Sequence, residues 1–165
     1  MGTEKGGTCM KSPGYAAIII ALGLLSGAAA GAETVLSVVS RVHLLGSWAA
    51  SCSTDASPSN WIVTWYASGS GAVRRRSLRG PGLPPLDGAV DSAEMLSPTL
   101  MRTRMRNDDP NWGNLNGKFY DVVLDMSDGN MRTISSVTGD GQAIIRDGKL
   151  VSNGHPSVVA QRCAK

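Results

Sequence analysis

The sequence predicts an all-β domain, an antiparallel meander that closes into a small barrel, led in by a short helix or an extended segment and tied by one disulfide. Three observations carry this. From Trp48 onward the chain breaks into short runs of apolar and polar alternation with no sustained 3.6-residue period, and a period of two marks a strand with one buried face. The runs are separated by turn chemistry, most plainly Asp128-Gly129, Asp140-Gly141 and Asp147-Gly148, a pair favoured where hairpin turns need positive φ. Cys52 and Cys163 stand at the two ends of this region.

Residues 1–32 read as a signal peptide that is removed. Residues 16–32, AAIIIALGLLSGAAAGA, carry no charge; Lys5 and Lys11 precede them, and Ala30-Gly31-Ala32 supplies small residues just before Glu33. That is the n-region, h-region and cleavage-site order of a secretory leader, with cleavage after Ala32. Its strongly apolar part, residues 16–25, is half the roughly 20 residues a membrane span needs, so no span is expected after cleavage. Met10, followed by Lys11, is an alternative start to Met1, and Cys9 leaves with the leader from either one.

The expected location is therefore periplasmic or secreted, where disulfides persist. Two cysteines allow one intramolecular bridge, Cys52 to Cys163, 111 positions apart. In the chain-entropy model a loop of that length stabilises the fold by about 4–5 kcal/mol. The remaining length suits one core, divided into a lead-in segment or short helix over 33–47 and a barrel domain over 48–165.

Within the lead-in, Val35, Val38, Val39, Val42 and Leu45 fall at helical spacing, although β-branched residues weaken helices. Strands are predicted over 48–53, 61–67, 72–79, 89–96, 99–107, 118–126, 130–137, 142–146, 149–152 and 158–163. In 100–106 the three arginines Arg102, Arg104 and Arg106 share one face, opposite Met101, Thr103 and Met105; in 119–125, Tyr120, Val122 and Leu124 oppose Asp121 and Asp125. A closed barrel also removes exposed strand edges. Two connectors are longer, the Pro-rich 80–88 and the polar 107–117, which carries Trp112 and which, on an inhibitor or interaction reading, would project from the barrel end.

Charge excludes little. The chain has 16 basic and 13 acidic residues, and losing Lys5, Lys11 and Glu4 with the leader leaves an excess of about two positive charges, too few to argue for nucleic acid or a membrane surface. No nucleophile elbow, zinc-binding His-Glu-x-x-His, Cys-x-x-Cys or phosphate loop is present. The reading is a non-enzyme with no cofactor and no metal; Asp108, Asp109, Asn111 and Asn114 crowd oxygen atoms together, but turn formation accounts for them. His43 and His155 sit outside the strands.

Candidate binding residues are the tryptophans and a pair of arginines. Trp61, Val63 and Trp65 alternate on one strand face, and Trp48 can join them inside the barrel to line a pocket for an apolar or planar ligand. Plain core packing competes with that reading. Trp112 is an anchor for a ligand or partner. Arg102 and Arg104, with Arg106 and with Arg74, Arg75, Arg76 and Arg79, form a basic stripe that suits a carboxylate, a phosphate or an acidic partner, unless they line a solvated outer face paired with Asp121 and Asp125.

Gly46-Ser47-Trp48, at the opening of the first strand, resembles the Gly-x-Trp start of lipocalin-like barrels, and this implies a tryptophan packed across the barrel floor. The second and third lipocalin motifs are missing. The succession GSWAASC, VRRRSLRGPG, LDGAVD, RMRNDDPNWG, RDGKLV and a final RC resembles a group of uncharacterised exported proteins of alphaproteobacteria, which implies a periplasmic or secreted location and no particular activity. Small periplasmic inhibitors of proteases and lysozymes are similar at fold level.

The sequence thus points to an exported binding protein for a small apolar ligand or an envelope component. A periplasmic inhibitor or interaction module is the alternative, with an uncharacterised hydrolase behind it. A lumen cavity lined by tryptophan distinguishes the first.

Overall fold

Thr34 starts the first element. Its Oγ1 accepts from the backbone N–H of Ser37 at 3.2 Å, which satisfies one of the orphan donors at a helix start, and α1 follows over Val35–Arg41. The helix stops at His43, which takes a left-handed φ of 54°. There the Leu44 N–H reaches Val39 O at 2.9 Å and the His43 N–H reaches Ser40 O at 3.0 Å, the paired bonds of a Schellman ending with histidine where glycine is usual. The lead-in is thus a short helix and not an extended segment. In this computed structural model the described residues are Gly2, Thr3 and 33–164, so the leader and its cleavage after Ala32 lie outside them.

Ten strands follow: β1 (Gly46–Ala49), β2 (Ile62–Ala67), β3 (Val73–Leu78), β4 (Leu86–Met95), β5 (Leu100–Asn107), β6 (Phe119–Asp125), β7 (Asn130–Thr138), β8 (Ala143–Arg146), β9 (Lys149–Leu150) and β10 (Val159–Arg162). Each overlaps a predicted strand, although β1 begins at Gly46 inside the expected lead-in and ends at Ala49, and β4 begins at Leu86 inside the expected Pro-rich connector. Alternation is the cause: along β5, Met101, Thr103, Met105 and Asn107 are buried while Arg102 and Arg104 are exposed. Asp128-Gly129 and Asp147-Gly148 take positive φ at both residues, as tight hairpin turns require.

All pairings are antiparallel. β1 to β7 pair in chain order, and β10 pairs with both β7 and β1, so eight strands close into a barrel. β7 divides its remaining edge. Residues 130–132 pair with β10, while Ser136 and Val137 pair with β8, and β8 and β9 form a hairpin branching from the wall.

The Cys52–Cys163 bridge is present, with Cα atoms 5.3 Å apart. Both cysteines were expected inside the first and last strands and instead lie just beyond them, since β1 ends at Ala49 and β10 at Arg162. The chain turns after Ala49 and brings Cys52 Sγ back to 3.9 Å from Gln161 O. The Cys163 N–H still donates to Ser47 O at 2.8 Å, so the bridge fastens the β1–β10 seam at the end of the ladder.

Val38, Val39 and Leu44 are buried and join a core that includes Trp48, Trp65, Met101 and Leu124. This packing seats α1 on one end of the barrel. The outer wall is laced with cross-strand ion pairs, Arg76 to Asp87 at 3.1 Å, Arg102 to Glu94 at 2.8 Å, Arg106 to Asp91 at 3.3 Å and Arg104 to Asp121 at 3.7 Å. Among the described residues no helix is long and apolar enough to cross a membrane.

Candidate functional site

Because the strands alternate in direction, the connections β1–β2, β3–β4, β5–β6 and β7–β8 gather at the barrel end away from α1. Besides a cleft of about 380 Å³ against Arg104, Phe119 and Gln142, two cavities open there among the described residues. One, of about 370 Å³, is walled by Trp48, Val63, Met131, Ile145, Val158 and Ala160; the other, of about 310 Å³, by Arg75, Met105, Asn107, Trp112, Tyr120 and Ile144. Trp61 lines both and is 43% exposed at the rim. A further cavity, of about 580 Å³, lies at the α1 end beside Arg41, His43, Met95, Met126 and Arg162. Its cations are engaged: Arg41 pairs with Glu33 at 2.6 Å and Arg162 donates to Leu45 O at 2.7 Å.

The four tryptophans hold different places. Trp48 is 2% exposed, and its Nε1–H donates to Leu44 O at 2.7 Å; its ring borders both the 370 Å³ cavity and the α1-end cavity, so it forms a floor between them. Trp61 stands at the rim. Trp65 is buried in the core cluster, and its Nε1 has no partner among the described residues. Trp112 is half-buried, and its Nε1–H donates to Asp87 O at 2.7 Å.

The 107–117 connector does not project as the sequence suggested; it folds back against the barrel mouth. Pro110 opens a 3-10 turn over Pro110–Leu115, Asp109 accepts from the Asn111 N–H at 2.8 Å, and Arg74 grips both carboxylate oxygens of Asp108 at 2.8 and 2.9 Å. These bonds engage Asp108 and Asp109 of the oxygen atoms that the sequence crowds together, and that of Trp112 pins the connector to Asp87 O. Asn107 Nδ2 adds a bond to Leu115 O at 3.3 Å.

Arg102 and Arg104 lie on the outer face in the ion pairs described above, away from the two cavities that share Trp61, and Arg104 borders the cleft of about 380 Å³. Asp121 is a partner as anticipated, while Asp125 turns instead to Ser127. The arginines of 74–79 do not form one stripe: Arg74 and Arg76 face outward to Asp108 and Asp87, and Arg75 faces the lumen.

Arg75 is the residue that sequence reasoning missed as a distinct feature. It shares a face with buried Val73 and Ser77 and, itself half-buried, lines the cavity of about 310 Å³. Desolvation pushes its pKa below the usual arginine value, with the nearby Tyr120 phenol opposing. Among the described residues it makes no ion pair; its one hydrogen bond is a long contact of 3.9 Å to Met105 Sδ, and its Cζ lies 5.8 Å from the Trp112 ring centroid. The alternation of Val73, Arg75 and Ser77 was the available signal.

His155 is exposed in its turn, where its backbone N–H donates to Asn153 Oδ1. No family model, curated protein or solved structure matches the chain. What the mouth cavities accept is therefore read from their walls.

Proposed function

We propose that this protein is an exported, lipocalin-like binding protein that takes a small apolar ligand into the mouth of its barrel. The observation that supports the reading is the pair of mouth cavities sharing Trp61, of about 370 and 310 Å³. Each is within the range of small-molecule sites, which are concave, mainly apolar and oriented by a few polar groups. A ligand covering Trp61, Val63 and Met131 gains roughly 25 cal/mol for each Å² of apolar surface it buries.

Export is supported by the leader pattern of residues 1–32 and by the Cys52–Cys163 bridge, a bond that oxidising compartments preserve. It also agrees with the resemblance to exported alphaproteobacterial proteins. An intact mass beginning at Glu33 and carrying the bridge is the expected product.

Titration with 1-aminoanthracene, a neutral planar fluorophore, tests the binding reading. A saturable blue-shifted signal is expected, weakened about tenfold, or 1.4 kcal/mol, by Trp61→Ala. Fluorescence that rises without saturation, or is indifferent to Trp61→Ala, counts against a mouth site.

A further inference from the structure

We infer that the ligand is a monocarboxylate with an apolar body, its carboxylate held by Arg75 inside the barrel and its body lying toward Trp61. This rests on the binding reading above and names the chemistry of that site.

The argument begins with what Arg75 lacks. A guanidinium presents five N–H donors in a planar fork and has no acceptor. Among the described residues, the other arginines with a lumen or wall position have oxygen partners: Arg74 has Asp108, Arg76 has Asp87, and Arg132 has Gly148 O and Ser157 Oγ. Arg75 has a thioether at 3.9 Å and an indole face at 5.8 Å. The indole contact lies near the outer limit for a cation–π interaction, and neither group fills the fork. A half-buried cation facing a largely apolar lumen without an oxygen partner is left with its donors unfilled.

The cavity around it is built for the counter-ion. No aspartate or glutamate lines it; Asn107, Tyr120 and Ser136 are its other polar side chains. Across the wall Arg75 stands opposite Trp65 on β2 and Gly88 on β4, and Gly88 puts no side chain beside it. A Cβ at Gly88 would come within 2.9 Å of Arg106 O, so this position is held small by the backbone itself. Above, Trp112 and Leu115 close over the cavity and Ile144 completes its wall.

The ligand's charge and shape follow from these neighbours. One half-buried guanidinium matches one planar carboxylate through two parallel hydrogen bonds, and a second negative charge would find no second cation in the lining. Trp61, Ile144 and Met105 around the remaining volume call for an apolar body, which can extend past Trp61 into the adjoining cavity of about 370 Å³. Phosphate esters and di-acids carry more charge than this lumen neutralises.

Isothermal titration of the leaderless, disulfide-bonded protein with octanoate and with 1-octanol separates the charge from the chain. Octanoate is expected to bind about tenfold or more tightly than 1-octanol. Arg75→Met is expected to weaken octanoate by a similar factor and leave 1-octanol within about threefold, and Arg75→Lys, a charge without the fork, to retain part of the preference. Equal affinities for the two compounds in the wild type overturn the inference without any variant having to fold, and so does an Arg75→Met protein that still prefers octanoate. If 1-aminoanthracene binds and octanoate does not, the carboxylate assignment alone falls; if 1-aminoanthracene, octanoate and 1-octanol all fail to bind, the binding reading falls with it.

Discussion

Arg74 and Arg75 are neighbours in the chain and lie on opposite sides of the barrel wall, Arg74 forked onto Asp108 outside and Arg75 facing the lumen without a carboxylate. Their removal should therefore act in opposite directions on the ligand-free protein. Arg74→Ala releases the 107–117 connector and is expected to cost about 1 kcal/mol, the scale of a partly exposed but bidentate pair. Arg75→Met replaces an unpaired, half-buried charge with an apolar chain of similar length and is expected to stabilise by up to about 1 kcal/mol. Urea unfolding of both variants measures the two signs, and a destabilised Arg75→Met would mean that the guanidinium already has a partner in the empty barrel.

Trp48 joins the helix to the barrel through one bond, its Nε1–H to Leu44 O at 2.7 Å. Leu44 is itself buried and follows the left-handed His43, so the indole fixes the turn that sets α1 on the barrel end. Trp48→Phe keeps most of the apolar surface and strands the carbonyl, at an expected cost of about 1–3 kcal/mol. Trp48→Ala also opens a void between two existing cavities and should cost about 3–5 kcal/mol. Thermal unfolding of the pair separates the hydrogen bond from the packing.

The strands were legible because their signals are local. Alternation in 100–106 and Asp-Gly at 128, 140 and 147 each report on neighbours a few residues apart, and the structure follows them. The insertion of β10 between β7 and β1 is a long-range pairing that leaves no local pattern, and the same holds for the branching of β8 and β9. Arg75 was hidden for another reason. Three successive arginines read as one solvated run, and only the positions of Val73 and Ser77 reveal that the middle one faces inward. Trp112 reads as a projecting anchor because its acceptor, Asp87 O, lies 25 positions away.

Arg102 and Arg104 provide the contrast to Arg75. Both are about half exposed on the outer face, paired with Glu94 and Asp121, and exposed pairs of this kind contribute about 0.2–1 kcal/mol each. The double variant Arg102→Ala/Arg104→Ala is expected to lose less than about 2 kcal/mol of stability and to bind 1-aminoanthracene as the wild type does. A change of more than a few fold in that affinity would relocate the site to the outer wall.

Cys52 and Cys163 lie beside the shortest closure in the barrel. β10 has four residues and meets β1 at Trp48–Arg162 and Ala49–Gln161 only, so the strand that completes the ring holds few bonds of its own. Removing the bridge with Cys52→Ala/Cys163→Ala is expected to cost about 3–5 kcal/mol, mostly by freeing the unfolded chain across a span of 111 residues. A second effect belongs to the folded state. Without the bridge β10 can leave the seam ahead of the rest, and amide exchange should then quicken at Ala160 and Gln161 before it does in β5 and β6. If all amides quicken together by the global loss, the bridge acts through the unfolded chain alone and β10 closes the barrel unaided.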